Sequence, residues 1–137
     1  MILIDTPVWS LALRRKPEHL SPAEQGLKRL WYQTIDNGQA GLLGPVRQEL
    51  LSGLKEDSQF ERLRSYLRDF PDTPITTADY EEAARANNQC RRAGIAASGI
   101  DMLICAVALH NDWAILTADQ GFLHYRKVLR VRLANTV

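Results

Sequence analysis

Apolar positions along the chain alternate between short continuous runs and helical spacing. Ile2 to Ile4 are uniformly apolar and rich in β-branching, and Asp5 ends them at once, as in a short buried strand. Thr6 is placed to cap a helix with Pro7 at its first position, where a missing N–H costs nothing. Val8, Leu11, Ala12 and Arg15 then follow helical spacing. Ser21-Pro22-Ala23-Glu24 reads as a capping box, and the helix behind it carries Leu27, Leu30, Trp31 and Ile35 until Asn37-Gly38 stops it. Leu42-Leu43 predict a second strand. Gly44-Pro45 start another helix with Val46, Leu50 and Leu54 on its buried side. A helix near Ser58 to Phe70 aligns Phe60, Leu63, Leu67 and Phe70, with Pro71 just past its end, and Ile75 marks a short strand. Thr76 with Asp79 forms a second capping box, ahead of Tyr80, Ala83, Ala84, Asn87 and Cys90. From about Ser98 a more apolar helix turns Ile100, Leu103, Ile104 and Val107 inward and ends at Asn111-Asp112. Ala114 to Thr117 predict a compact strand. Val131 and Leu133 alternate with Arg130 and Arg132 in a final edge strand.

Strands separated by helical segments need crossover connections, so the pattern predicts a short, mostly parallel sheet with helices packed on it. Residues 1–137 read as a single α/β domain with no repeat, linker or low-complexity segment. At 45% hydrophobic and 24% charged, the composition is that of an ordinary globular protein able to bury a core. The longest apolar run, Met102 to Leu109, is far short of the ~20 residues that span a bilayer. The first residues lack the charged and apolar regions of a signal peptide. Cys90 and Cys105 are too few and too far apart for a secreted disulfide framework, so a cytoplasmic protein is expected. A formal charge of +1 argues against a strongly basic nucleic-acid scaffold, but the charge is unevenly spread. Arg14, Arg15 and Lys16 cluster, as do Arg91-Arg92, and no acidic residue follows Asp119 while Arg126, Lys127, Arg130 and Arg132 do. Such clusters can track a phosphate backbone, though more often they are solvated faces.

Ligands of open parallel sheets collect at the carboxyl ends of the strands. Asp5 follows the first strand directly, and Asp119, in TADQGF, follows the strand that begins at Ala114. Glu49 flanks the inward side of the short helix after the second strand. Asp101 sits in the first turn of the most apolar helix, the one ionised side chain between Arg92 and Asp112. Singly, each has an ordinary explanation: a strand-end residue, a helix carboxylate, a helix-dipole partner, a turn former. Together at one end of a sheet, they would repel by about 4 kcal/mol per pair at 4 Å and an effective dielectric near 20. A divalent cation relieves that repulsion better than neutral caps do. All-oxygen ligation suits Mg²⁺ or Mn²⁺ over Zn²⁺, and His19, His110 and His124 lack zinc-site spacing. With no nucleophile elbow, P-loop or dinucleotide fingerprint in the sequence, metal-assisted chemistry on a phosphate ester remains.

IDTPVW, the Glu of PVRQELLSG, Asp101 in GIDMLICAVAL and the TADQGF turn resemble the PIN-domain ribonucleases, and more closely the VapC-type toxins of bacterial toxin–antitoxin pairs. The order Asp, Glu, Asp, Asp matches across essentially the whole chain. The resemblance implies a three-layer α/β/α fold and an acidic pocket holding one or two Mg²⁺ or Mn²⁺ ions. Carried over by position, Asp5, Glu49, Asp101 and Asp119 are the catalytic quartet, with Asp5, Asp101 and Asp119 as metal ligands. Thr117 matches a hydroxyl residue that accompanies the last aspartate. Pro7 departs from the family, standing where many relatives carry a small polar residue. The resemblance further implies an RNA substrate cut to 5′-phosphate and 3′-hydroxyl ends, a cognate antitoxin and a homodimer. Arg14, Arg15, Lys16, Arg91 and Arg92 are candidate contacts to the RNA backbone. Trp9 and Tyr32 are candidates for base stacking, with a core role favoured for Trp9, one turn from Leu13. Two alternatives stay open: a non-catalytic PIN-like module that binds RNA or protein, and a DNA-directed flap-type nuclease.

Overall fold

Every connection between successive strands passes through at least one helix, and the resulting sheet is parallel throughout. The computed structural model describes residues 1–135. In chain order its elements are β1 (Ile2–Ile4), α1 (Thr6–Arg14), a 3₁₀ turn (Pro17–His19), α2 (Pro22–Asp36), β2 (Ala40–Leu43), α3 (Gly44–Leu51) and α4 (Asp57–Leu67). Then come β3 (Asp72–Thr73), α5 (Thr77–Arg92), α6 (Gly99–Asn111), β4 (Ala114–Leu116), α7 (Gly121–Leu129) and β5 (Arg132–Leu133). The sheet order is β3-β2-β1-β4-β5, which makes β1 the central strand and β5 an edge. Ile2 lies opposite both Ala40 and Ala114, and Ile4 opposite Leu116. Helices enclose the sheet in an α/β/α arrangement, with α5 and α6 paired, α1 against α2 and α3, and α7 against α5.

The three inner strands, β1, β2 and β4, read as continuous apolar runs because both of their faces are covered. Leu3, Ile4, Leu42, Leu43, Ile115 and Leu116 are all buried. Glycine at position 41 lets β2 lie close to β1: a Cβ there would stand 2.9 Å from a terminal methyl of Leu3 and 3.3 Å from the Ile2 carbonyl oxygen, so the strands or the Leu3 side chain would have to shift. Trp9 is wholly buried, edge-on to Trp31 and Phe70 at centroid distances of 5.8 and 5.2 Å, and donates to the Ile4 carbonyl at 3.2 Å. It belongs to the core and has no face for a base. Cys90 and Cys105 are buried and free. Among the described residues no helix is long and apolar enough to cross a membrane.

Both expected capping boxes form. Ser21 accepts from the Glu24 amide and Thr76 from the Asp79 amide, and each acid accepts in return from the cap's own amide. Several other expectations are corrected. Helix α1 begins one residue early, with Asp5 at its cap, so Thr6 is inside the helix and its buried hydroxyl has no hydrogen-bond partner among the described residues. The third strand is Asp72–Thr73 rather than Ile75, placed by Arg47, which pairs with Asp72 at 2.8 Å and also donates to the carbonyls of Leu67 and Phe70. Helix α4 stops at Leu67. On α6, Ile100 and Leu103 are half-buried, while Met102, Cys105, Ala106 and Ala108 join Ile104 and Val107 inside. A helix covered on most sides buries most of its residues, whatever its stripe. Leu30, Tyr80 and Ala84 are exposed. Helix α7, between β4 and β5, was not foreshadowed by the expected strand pair.

Candidate active site

The end of β1 is tied to the end of β4 by the Asp5 amide, which donates to the Leu116 carbonyl at 3.1 Å. Asp5 itself is 3% exposed. Thr117, fully buried just past β4, serves two aspartates through one hydroxyl: Oγ1 donates to Asp5 Oδ2 at 2.5 Å and accepts from the Asp119 amide at 2.9 Å. A hydroxyl has one proton to give, and here it goes to the carboxylate. The Asn135 side-chain amide clamps Thr117 on both backbone groups, accepting from its N–H at 3.2 Å and donating to its carbonyl at 2.8 Å. Asp119 Oδ1 accepts from the Gly121 amide at 2.8 Å, an Asx turn that opens α7.

Asp101 reaches the site from α6. Three helices open with a hydroxyl at the cap and an acid three residues on: Ser21 and Glu24, Thr76 and Asp79, Ser98 and Asp101. In the first two, the acid turns back to the cap amide. At α6 only half the box closes: Ser98 accepts from the Asp101 amide at 3.1 Å, while the carboxylate accepts instead from the Tyr125 hydroxyl at 2.8 Å. Glu49 lies exposed on α3, directly after β2, and no partner holds it among the described residues.

All four expected acids therefore line one cavity of about 490 Å³, together with Thr6, Pro7 and Ser98. A larger hollow of about 810 Å³ opens beside it along α3, α5 and α6; it shares Glu49, which is its one carboxylate. The acidic cavity is electrostatically uncomfortable. Burial pushes the Asp5 carboxyl up to about 7, and Asp101, Asp119 and Glu49 add to the rise against the Thr117 hydrogen bond. Asp101 is raised for the same reasons, burial first and then Asp119 and Glu49, with Tyr125 and Ser98 opposing. The Tyr125 phenol is pushed up in turn by burial and by the carboxylate it serves. The ion pairs among the described residues involve none of the four acids.

This donor set is all oxygen, with no cationic side chain paired to it among the described residues, which fits a hard divalent cation. Among the described residues no three His, Cys, Asp or Glu groups stand close enough to enclose one ion as a ready-made cage. The acids thus converge on a shared space without closing around its centre. Mg²⁺ usually keeps several waters, and water bridges that kind of spacing.

The remaining sequence candidates divide. Tyr32 is 65% exposed and free to stack, unlike Trp9. Arg14 donates to the Leu50 carbonyl and Arg15 pairs with Glu24, so both have structural duties. Lys16, Arg91 and Arg92 are exposed. Tyr125, Gly121 and Asn135 join the site without having been singled out. Gly121 stood within the TADQGF turn, and Tyr125 kept helical spacing with Phe122 and Leu129; Asn135 carried no local signal.

Comparison with known proteins agrees with this architecture. The family model described as PIN domain matches residues 2–128. Among solved structures, the chain is similar to FitAcB from Neisseria gonorrhoeae, with 20% identity and a TM-score of 0.76 over 98% of this chain and 97% of that one. It is also similar to VapBC2 from Rickettsia felis, a structure bound to a DNA fragment from their promoter, with 15% identity and a TM-score of 0.76 over 100% of both chains. Likeness at these identities is one of fold. Among curated proteins no sequence matches.

Proposed function

This chain belongs to the PIN-domain family, and from that premise we propose that it is a divalent-metal-dependent endoribonuclease, the toxin of a VapC-type toxin–antitoxin pair. The observation that carries the proposal is the convergence of Asp5, Glu49, Asp101 and Asp119 on one cavity, with no cationic side chain paired to any of them among the described residues. PIN domains are generally nucleases, and the fold likeness to FitAcB and VapBC2 supports a cognate antitoxin as partner. The protein acts in the cytoplasm, as one domain and as a homodimer.

Asp5, Asp101 and Asp119 would hold Mg²⁺ or Mn²⁺. When bound, such an ion offsets the charge building on the phosphate oxygens and eases deprotonation of the attacking water at neutral pH. Glu49, exposed and unheld, takes that proton. The water oxygen bonds to phosphorus in line as the P–O3′ bond breaks, leaving a 5′-phosphate on one product and a 3′-hydroxyl, protonated from solvent, on the other. Thr117 keeps Asp5 and Asp119 in register through its single hydroxyl. Lys16, Arg91 and Arg92 offer charge for the backbone, and Tyr32 an aromatic face for an unpaired base.

The test is cleavage of bulk cellular RNA by antitoxin-free protein, with Mg²⁺ or Mn²⁺ and with EDTA, beside Asp101→Asn. Metal-dependent cutting that vanishes in the folded variant is expected. Equal traces from both proteins would sink the proposal. Matched RNA and DNA strands in the same assay separate it from a DNA-directed nuclease. A second reading, an RNA- or protein-binding module without cleavage, draws on the absence of a closed metal cage among the described residues. It predicts RNA retention that EDTA leaves unchanged.

A further inference from the structure

Tyr125 lies outside the acidic quartet, yet it touches one of its members directly. Its hydroxyl donates to Asp101 Oδ2 at 2.8 Å from a ring that is 4% exposed and packed edge-on against Phe122, centroids 5.1 Å apart. Helical side chains lean back toward the N-terminus, so residue 125 covers the turn at residue 121. That turn has been left empty for it. A Cβ on Gly121 would stand 3.2 Å from the Tyr125 hydroxyl and 3.1 Å from Asp119 Oδ1. The opening of α7 thus seats Asp119 with its amide and leaves room beside it for the phenol that crosses to α6.

The Asp101 carboxylate had a local alternative, the cap amide of Ser98, which the equivalent acids of α2 and α5 take. It is drawn away from that option by a residue 24 positions later in the chain. The donor is also of a particular kind. A lysine or arginine would orient Asp101 equally well but would neutralise it and compete with a bound cation. A phenol orients it through Oδ2 and leaves its charge in place.

We infer that Tyr125 is a positioning residue for the metal site: with Gly121 making room, its hydroxyl fixes the Asp101 carboxylate in a cation-ready orientation while leaving its charge unspent. This rests on the metal-dependent reading above. Hydrogen bonds behind ligating carboxylates are typically worth 10–100-fold in metal affinity or activity.

The experiment is calorimetric titration of the full chain with Mn²⁺, wild type against Tyr125→Phe, alongside the metal-free melting temperature of each. Phenylalanine keeps the ring and its packing and removes only the hydroxyl. The expected result is a Mn²⁺ dissociation constant weakened about 10–100-fold, with RNA cleavage restored by excess Mn²⁺ and the metal-free melting temperature little changed. Tyr125→Met also removes the hydroxyl while filling the site with an apolar side chain; it should weaken Mn²⁺ binding in the same direction, and it carries the test if Tyr125→Phe does not fold. Equal affinity in wild type and Tyr125→Phe overturns the inference, as does a cleavage defect that excess Mn²⁺ leaves in place. A wild-type chain that binds no Mn²⁺ removes the metal-dependent reading beneath it, a result distinct from tight binding by both proteins.

Discussion

Asp5 and Asp79 are both buried aspartates, and they answer pH in opposite directions because their neighbours differ. Burial and three nearby acids hold the Asp5 carboxyl up at about 7, against 3.8 for the unfolded chain. Between those values the folded protein keeps a proton that the unfolded chain has lost, so stability falls as pH rises through the window, by on the order of 4 kcal/mol over its full width. In EDTA, the urea midpoint of wild type should decline from pH 4 to 7 relative to Asp5→Asn, and Mn²⁺ should reverse the decline. Parallel profiles would refute that account. For Asp79, burial again favours the neutral form, but the Thr76 amide and hydroxyl and His110, whose Nδ1 lies 2.5 Å from Oδ1, prevail and hold the carboxyl below its usual range. Its contribution is present above the unfolded value and lost as pH falls through the folded one. The melting-temperature gap between wild type and Asp79→Asn should therefore close as the solution is acidified below about pH 4. Thr117→Val keeps the shape but strips Asp5 and the Asp119 amide of their shared partner. We expect a loss of about 1–3 kcal/mol in stability and about 10–100-fold in cleavage, read by denaturant titration and RNA assay.

Elements were legible where their causes are local. The boxes at Ser21 and Thr76 can be read from four residues each, and both form as expected. Helix α7 hid because its opening, Asp119-Gln120-Gly121, is turn chemistry, and the side chain of its cap residue Gln120 makes no capping hydrogen bond. Phe122, Tyr125 and Leu129 do keep helical spacing, but over only nine residues. Strand β3 could not be read at all: two residues, one of them Asp72, are held by an arginine 25 positions earlier. Thr6 was a plausible cap until the central sheet claimed Asp5 for that position. At α6, Ser98→Ala should cost about 1 kcal/mol through loss of the cap, measurable as a lowered melting temperature. Helix α7 ends on Arg130 in the left-handed region, at φ 61°. Arg130→Gly should relieve about 1 kcal/mol of strain there, and an unchanged or lower melting temperature would show that the strain is not stored at that residue.

Across the whole molecule, the site is a property of topology. Asp5 and Asp119 could be paired from the sequence because parallel strands deliver their carboxyl ends to one side, and the two strands concerned, β1 and β4, are neighbours. Their supports could not be, since Tyr125 and Asn135 act across tertiary distance, and the helical spacing of Tyr125 announces its helix but not the carboxylate it meets. If the four acids share a cation, its binding is also folding energy. At 100 times the dissociation constant, Mn²⁺ should add about 2.7 kcal/mol of stability, and Asp101→Asn should abolish the shift. The central place of β1 has a consequence for biosynthesis. Strand β1 is flanked by β2 and by β4, and the hydroxyl that anchors Asp5 is 112 residues downstream. At about 5–20 residues per second, synthesis of those 112 residues takes about 6–22 seconds, and Asp5 waits that long on the ribosome for the segment that completes its surroundings. A chain interrupted before Thr117 has the first aspartate but neither its anchor nor Asp119, so incomplete translation products carry one acid of the cavity without the residues that complete it.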